Sequence, residues 1–180
     1  LAGADEPLTM SLSSTTSGLP ALWSNGAAVL YSVTGNVLTA YVETAGPAGL
    51  NAGDRVVFTL TVNGDGSWAF DLKDQLDHVA GSGENTALRT AADGSTSVSA
   101  IDFSSILVAT DFDGDAVTGA AAGSFTIEVQ DDIPSANNDD LQSISEVAAG
   151  TIGGNVINPE VADDANQTGK DIPGADEPIT

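Results

Sequence analysis

The chain of 180 residues carries 26 acidic and four basic side chains, a net charge of -22, and no cysteine. Phosphate contacts need many lysines and arginines, so this charge excludes nucleic acid as a partner and disfavours an anionic membrane surface. Without cysteine there is no disulfide and no thiolate metal site, which leaves oxygen-bound cations to neutralise the repulsion between carboxylates.

The first half of the chain predicts short antiparallel strands. Residues 8–13 alternate apolar and polar side chains. The β-prone runs 28–33 and 37–43 are joined by Thr34-Gly35-Asn36, a sequence typical of a hairpin turn.

The clearest hairpin follows. Residues 55–62 lead into Asn63-Gly64-Asp65-Gly66 and out through residues 67–72, with apolar side chains at alternate positions. Trp68 alternates with Phe70 there, so we expect its ring in the core, whereas Trp23 lies in a loop beside Asn and Gly.

The second half predicts a polar loop over residues 74–94, in which His78 is a hydrogen-bonded loop residue rather than a catalytic base. Strand patterns return at 97–103, 106–110 and 124–130. No segment keeps a 3.6-residue apolar period, and short strands between turn signals indicate an all-β sandwich over residues 1–134.

Three carboxylates stand at alternate positions in the turn before the last strand. Asp111, Asp113 and Asp115 surround Gly114, and such oxygens can converge on one Ca²⁺ ion. The alternative is an acidic turn in which Asp113 and Gly114 serve only the backbone geometry. We favour calcium, because an uncompensated triplet is costly in so acidic a chain. The spacing is not that of an EF-hand, since position twelve is Ala122.

Two further acidic pairs flank Ile133-Pro134. Asp131 and Asp132 precede this dipeptide, and Asp139 and Asp140 follow it. Solvated linker charge would explain them, but they are also placed to share calcium ions between neighbouring domains and so stiffen the joint.

The chain repeats a short stretch near its two ends. Residues 3–9, Gly-Ala-Asp-Glu-Pro-Leu-Thr, return as residues 174–180 with Ile in place of Leu. This match predicts one period of a tandem array, cut out of register. The equivalent acids Asp5, Glu6, Asp176 and Glu177 are therefore candidate calcium ligands at each junction.

Several stretches together resemble a known family, the repeats of giant type I-secreted RTX adhesins of Gram-negative bacteria, with VCBS and cadherin-like character. The resemblance rests on residues 58–70, on 74–78 with 83–85, on 109–115 and on Asp-Asp-Ile-Pro at 131–134, and more loosely on 138–140 and 154–157. It implies Ig-like β-sandwiches strung end to end, with Ca²⁺ at the domain ends. No RTX nonapeptide repeat and no sugar- or ice-binding module is recognisable, so the tip activities of such adhesins do not carry over.

The family order implies that residues 135–180 are the N-terminal part of the next repeat or a linker to it. Within them, residues 141–157 either pair with an open sheet edge of the preceding domain or form a small separate module.

We therefore expect a calcium-stabilised extender on the outer surface of a Gram-negative bacterium, with neighbouring repeats as its partners. Calcium affinities on the order of 10⁻⁴ to 10⁻³ M suit an extracellular module. The alternative is a glycan-binding module of the same adhesin. We expect a monomer without enzymatic activity and without membrane insertion, because the sequence offers neither a catalytic constellation nor an apolar run of about 18 residues.

Overall fold

The computed structural model describes residues 8–44, 46–81 and 83–133, together with residue 146. The chain divides into two compact units, Leu1–Asp131 and Asp132–Thr180. Of the second unit only residues 132, 133 and 146 are described, so the prediction of a new repeat over 135–180 lies outside the described residues.

The regular secondary structure of the described residues is nearly all β, which confirms the predicted fold class. They form thirteen short strands and one turn of 3₁₀ helix, Ser104–Ile106. In chain order the strands are β1 (Thr9–Leu12), β2 (Trp23–Ser24), β3 (Ala27–Ala28), β4 (Leu30–Thr34), β5 (Val37–Val42), β6 (Arg55–Val62), β7 (Trp68–Leu72), β8 (Leu88–Arg89), β9 (Ser97–Val98), β10 (Ile101–Asp102), β11 (Leu107–Thr110), β12 (Ala116–Thr118) and β13 (Thr126–Ile127).

All strand pairs are antiparallel. The largest sheet has the order β4-β5-β6-β7, and a second sheet has the order β1-β11-β12. Strands β10 and β13, β2 and β3, and β8 and β9 form two-stranded pairs. Several antiparallel sheets around one core are compatible with a β-sandwich, as the strand pattern predicts.

The two hairpins predicted from turn chemistry are both present. The β4–β5 turn contains Gly35 at a φ of 59°, and the β6–β7 turn contains Gly66 at a φ of 85°. Glycine suits both positions because positive φ carries no steric cost for it. A β-bulge between β5 and β6 shifts the register at Ala40 and Tyr41, next to Val57.

The core is apolar and is built from both halves of the first unit. Phe58 is fully buried, and its ring lies 5.0 Å from that of Phe70, 6.1 Å from that of Phe103 and 6.4 Å from that of Tyr31. The remaining buried apolar residues come from strands and loops alike: Leu12, Leu19, Leu22, Val29, Leu38, Ala40, Tyr41, Val42, Val57, Leu60, Val62, Leu76, Leu88, Ile101, Phe103, Ile106 and Val129.

The expected burial of Trp68 is wrong. Its side chain is 53% exposed, although it contacts Phe125 with the ring centroids 5.2 Å apart. Strand β7 is the outermost strand of its sheet in the described part of the chain, so the core covers Trp68 on one side only. Alternation correctly places the residue on the core face but does not show where that face ends.

The second half differs from prediction in detail. The predicted strand 124–130 is limited to Thr126–Ile127, and the small-residue run after the acidic turn contains β12. The predicted polar loop 74–94 includes β8, beside an isolated bridge between His78 and Leu88. Long-range pairing partners, rather than local propensity, decide these short strands.

Asp102 ties β10 to the segment before β13. Its Oδ1 accepts a hydrogen bond from the Ser104 backbone N–H at 2.9 Å, and its Oδ2 accepts one from the Gly123 N–H at 2.8 Å. Hydrogen bonding by Ser104, from its side chain and then its backbone, lowers the pKa of Asp102, and the Gly123 N–H adds to this effect.

This lowered pKa predicts a loss of stability in acid. Stability gained from the ionised Asp102 is present above the pKa of an unfolded aspartate and is lost as pH falls through the lower folded value. We expect Asp102→Asn to destabilise the domain at neutral pH. The difference in free energy of unfolding between wild type and variant should become smaller on acidification, as measured by urea unfolding across pH. If this difference stays constant at pH values below the usual pKa range of aspartate, the proposed role of Asp102 is contradicted.

Candidate metal centre

The acidic turn joins β11 to β12 and is closed by its own backbone. The Asp111 N–H donates to the Asp115 carbonyl at 3.1 Å, and the Gly114 N–H donates to the Asp111 carbonyl at 3.3 Å. The Asp115 N–H donates to Asp111 Oδ1 at 2.8 Å. Gly114 has a φ of 97°, a region that favours glycine, so a glycine at this position helps the chain to reverse.

The turn brings together the three predicted ligands. Asp111, Asp113 and Asp115 each offer a carboxylate oxygen, and these oxygens lie within 4.8 Å of one another. Asp111 is half-buried, whereas Asp113 and Asp115 are exposed. Among the described residues, no other group of three or more acidic or histidine side chains has a spacing that could hold a metal ion. The set is purely oxygen, which suits a hard cation such as Ca²⁺.

The carboxylates in the turn repel one another. The pKa of Asp113 lies above its usual range, first because it shares a hydrogen bond with Asp111 and then because the charge of Asp111 opposes its ionisation. Repulsion of this kind is relieved by added positive charge, which a proton or a divalent cation can supply.

The turn lies at the end of the unit where the described chain begins. Thr9 at the start of β1 pairs with Thr110, the residue before the turn. The next residue, Met10, donates its N–H to the Gly64 carbonyl in the β6–β7 turn at 3.0 Å. The start of β1, the β6–β7 turn and the acidic turn are therefore neighbours.

Asp131 is held by different partners. Its Oδ2 accepts a hydrogen bond from Asn85 Nδ2 at 3.1 Å, and its N–H donates to the Asn85 carbonyl at 2.8 Å. Its Oδ1 lies 3.7 Å from His78 Nδ1, which has no hydrogen-bond partner among the described residues. The structure therefore does not bring Asp131 to the acidic turn, and Asp132 beside it is exposed.

His78 is hydrogen-bonded, as the sequence predicts. Only 5% of its side chain is exposed, and its Nε2 lies 3.0 Å from the Val129 carbonyl. The sequence gives no signal that His78 and Asn85 would meet Asp131, because these contacts are long-range.

The other predicted ligands have no described position. Asp5, Glu6, Asp139, Asp140, Asp176 and Glu177 all lie outside the described residues. Their roles at a junction stay predictions.

The fold and the acidic turn together define an all-β domain with a candidate cation site. The chain belongs to a family described as a domain of unknown function (DUF5801), whose model matches residues 2–124. The matched stretch contains the acidic turn and ends before Asp131. No curated protein and no solved structure matches the chain. In the part of the chain that is described, no helix has the length and apolar character needed to cross a bilayer.

Proposed function

We propose that this domain is a calcium-stabilised structural repeat of a large adhesin on the surface of a Gram-negative bacterium. Its role is to hold a ligand-binding region away from the cell. The observation that carries the proposal is the convergence of three carboxylates in one glycine-containing turn.

Calcium fits the turn better than other common ions. Zinc favours nitrogen and sulfur ligands, of which the turn has none, and magnesium requires a near-octahedral oxygen set. Calcium accepts carboxylates, backbone carbonyls and water in a flexible geometry, and extracellular calcium sites are typically of low affinity. A net charge of -22 adds a general preference for divalent cations.

The two ends of the first unit support an end-to-end arrangement of repeats. The chain enters β1 beside the β6–β7 turn, at the C-terminal end of β6. The other end of β6 begins at Arg55, which pairs with Asp74 at 2.5 Å and contacts Ser24.

The chain leaves the first unit near this second end. Asp77, next to His78, donates its N–H to the carbonyl of Trp23, the neighbour of Ser24. His78 in turn lies beside Val129 and Asp131. The eight residues of β6, at about 3.3 Å each, span roughly 26 Å between the two ends. A domain that the chain enters at one end and leaves at the other adds its own length to a tandem array.

The sequence repeat supports the same role. Residues 3–9 recur as residues 174–180, which fits a tandem array in which one calcium-bearing end follows another. Bound calcium would remove the repulsion between carboxylates and so favour an ordered, extended chain.

The test is the length of a chain that carries two copies in tandem. Small-angle scattering should give a larger maximum dimension and a narrower distribution of distances in calcium than in chelator. Asp113→Asn in both copies should reduce this response, and Asp93→Asn, in a different turn, should preserve it. An unchanged maximum dimension with and without calcium would refute the extender role.

One observation favours glycan binding as a second candidate. Phe112, inside the acidic turn, is 78% exposed, and Trp68 is 53% exposed beside the neighbouring β6–β7 turn. Exposed rings stack on sugars, and a nearby calcium ion can bind sugar hydroxyls. If the domain binds glycans, a glycan array should show binding that depends on calcium and that Phe112→Ala abolishes. If the domain binds no glycan on the array, this second candidate function is refuted.

A further inference from the structure

In the described part of the chain, strand β7 presents an open edge of backbone groups. The Asn63 N–H donates to the Ser67 carbonyl at 2.7 Å, which fixes the alternation of bonded pairs along the β6–β7 hairpin. In this alternation three residues of β7 belong to the pairs whose backbones are not hydrogen-bonded to each other. These pairs are Trp68 with Val62, Phe70 with Leu60, and Leu72 with Phe58. The N–H and C=O groups of the three β7 residues therefore point away from β6, and no other strand of the described chain pairs with them.

The side chains of Trp68 and Leu72 extend the core face beyond its cover, whereas Phe70 between them packs against the core. Their partners on β6 are almost completely buried. Trp68 and Leu72, however, are 53% and 45% exposed. On the other outer strand of this sheet, β4, the core-facing Tyr31 and Val33 are packed against the core. The apolar face is thus left open at β7 and not at β4.

The local charge at β7 is balanced. Residues 67–73 contain one acid and one base, Asp71 and Lys73, and these form an ion pair. The next acid, Asp74, pairs with Arg55 at 2.5 Å. In a chain of net charge -22, the acids within residues 67–74 are thus paired, and the nearest acid before them, Asp65 in the β6–β7 turn, accepts hydrogen bonds from Ser67.

We propose that β7 is a homotypic docking edge, on which a second copy of this chain adds its own β7 in antiparallel orientation. With the two-fold axis at Phe70, Phe70 faces its equivalent and Trp68 faces Leu72 of the second copy. This register satisfies the outward N–H and C=O groups of all three residues. It places a large ring against a smaller aliphatic side chain, and Asp71 opposite Ala69 rather than opposite another acid.

The pairing joins copies side by side, whereas tandem repeats join end to end, and it does not depend on the acidic turn. It replaces the monomer expected from the sequence with a self-associating molecule. Because both molecules are strongly acidic, association should strengthen with salt, which screens the repulsion between the bodies of the two copies.

Sedimentation of the full chain at increasing concentration and salt tests the pairing. We expect a monomer–dimer equilibrium that Leu72→Glu weakens by at least about tenfold, since the substitution places a charge in the apolar contact. Leu30→Glu is the matched control, because Leu30 is 41% exposed on β4 but lies outside the proposed surface. A chain that stays monomeric throughout, or an equal loss from both substitutions, would overturn the proposal.

Cysteine cross-linking tests the register, and the chain has no native cysteine to interfere. In the proposed pair, Ala69 and Asp71 of opposite copies form a close pair without ladder bonds, with Cα atoms about 4.5 Å apart, which is within disulfide range. The double variant Ala69→Cys with Asp71→Cys should form a covalent dimer on mild oxidation. The matched pair on β4, Ser32→Cys with Thr34→Cys, should remain monomeric. Equal cross-linking of both variants, or of neither, would contradict this register.

Discussion

Phe58→Ala should destabilise the domain by about 3–5 kcal/mol, the largest effect that we expect from a single substitution. The Phe58 side chain is fully buried, and three aromatic rings surround it with centroids between 5.0 and 6.4 Å away. Truncation removes apolar contacts and leaves a cavity that the neighbouring β-sheet cannot easily close. Because a domain of this size is stable by only about 5–15 kcal/mol, the loss is a large fraction of the total.

Urea unfolding measures this loss as a lower midpoint at unchanged slope. Phe112→Ala is the matched control, because Phe112 is 78% exposed and its truncation should cost less than about 0.5 kcal/mol. If Phe58→Ala does not fold, Phe58→Leu should still fold and show a smaller loss. Similar losses for Phe58→Ala and Phe112→Ala would contradict the described core.

Calcium should stabilise the wild-type domain by about 2.7 kcal/mol at a concentration one hundred times the dissociation constant of one site. Asp113→Asn should remove most of this gain, because it removes one of the three converging carboxylates. In chelator the same substitution should slightly stabilise the domain, because it relieves the repulsion between the carboxylates of Asp113 and Asp111. The order of stability of the two proteins should therefore reverse when calcium is added.

Asp93→Asn separates this effect from a general effect of charge. It removes the same charge from another exposed turn, where Asp93 Oδ1 accepts a hydrogen bond from the Ser95 N–H at 3.0 Å. Its calcium-dependent gain in melting temperature should equal that of wild type. If calcium stabilises all three proteins equally, the cations act through net charge and not through the acidic turn.

The parts of the fold that the sequence predicts are those with local causes. The β6–β7 hairpin follows from alternating apolar residues and from Asn63-Gly64-Asp65-Gly66, all within one short stretch. The acidic turn is predictable for the same reason, since its three carboxylates and Gly114 lie within five consecutive residues. Such features need no knowledge of the rest of the chain.

What the sequence does not predict depends on distant contacts. Strand β12 is only three residues long, too short for a recognisable alternating pattern, and is a strand because it pairs with β11. Trp68 occupies a core-facing position in the alternating pattern, yet its side chain is half exposed because β7 is the outermost described strand of its sheet. The partners of Asp131 are separated from it along the chain, Asn85 by 46 residues, so no local pattern identifies them.

The most direct test of calcium binding by the acidic turn is a crystal structure of the domain grown in calcium, with the ion identified by its anomalous scattering. We expect one ion at the turn, coordinated by oxygens of Asp111, Asp113 and Asp115 at about 2.3–2.6 Å. A well-ordered turn without an ion at saturating calcium, or an ion bound only elsewhere, would contradict the proposed role of these three residues.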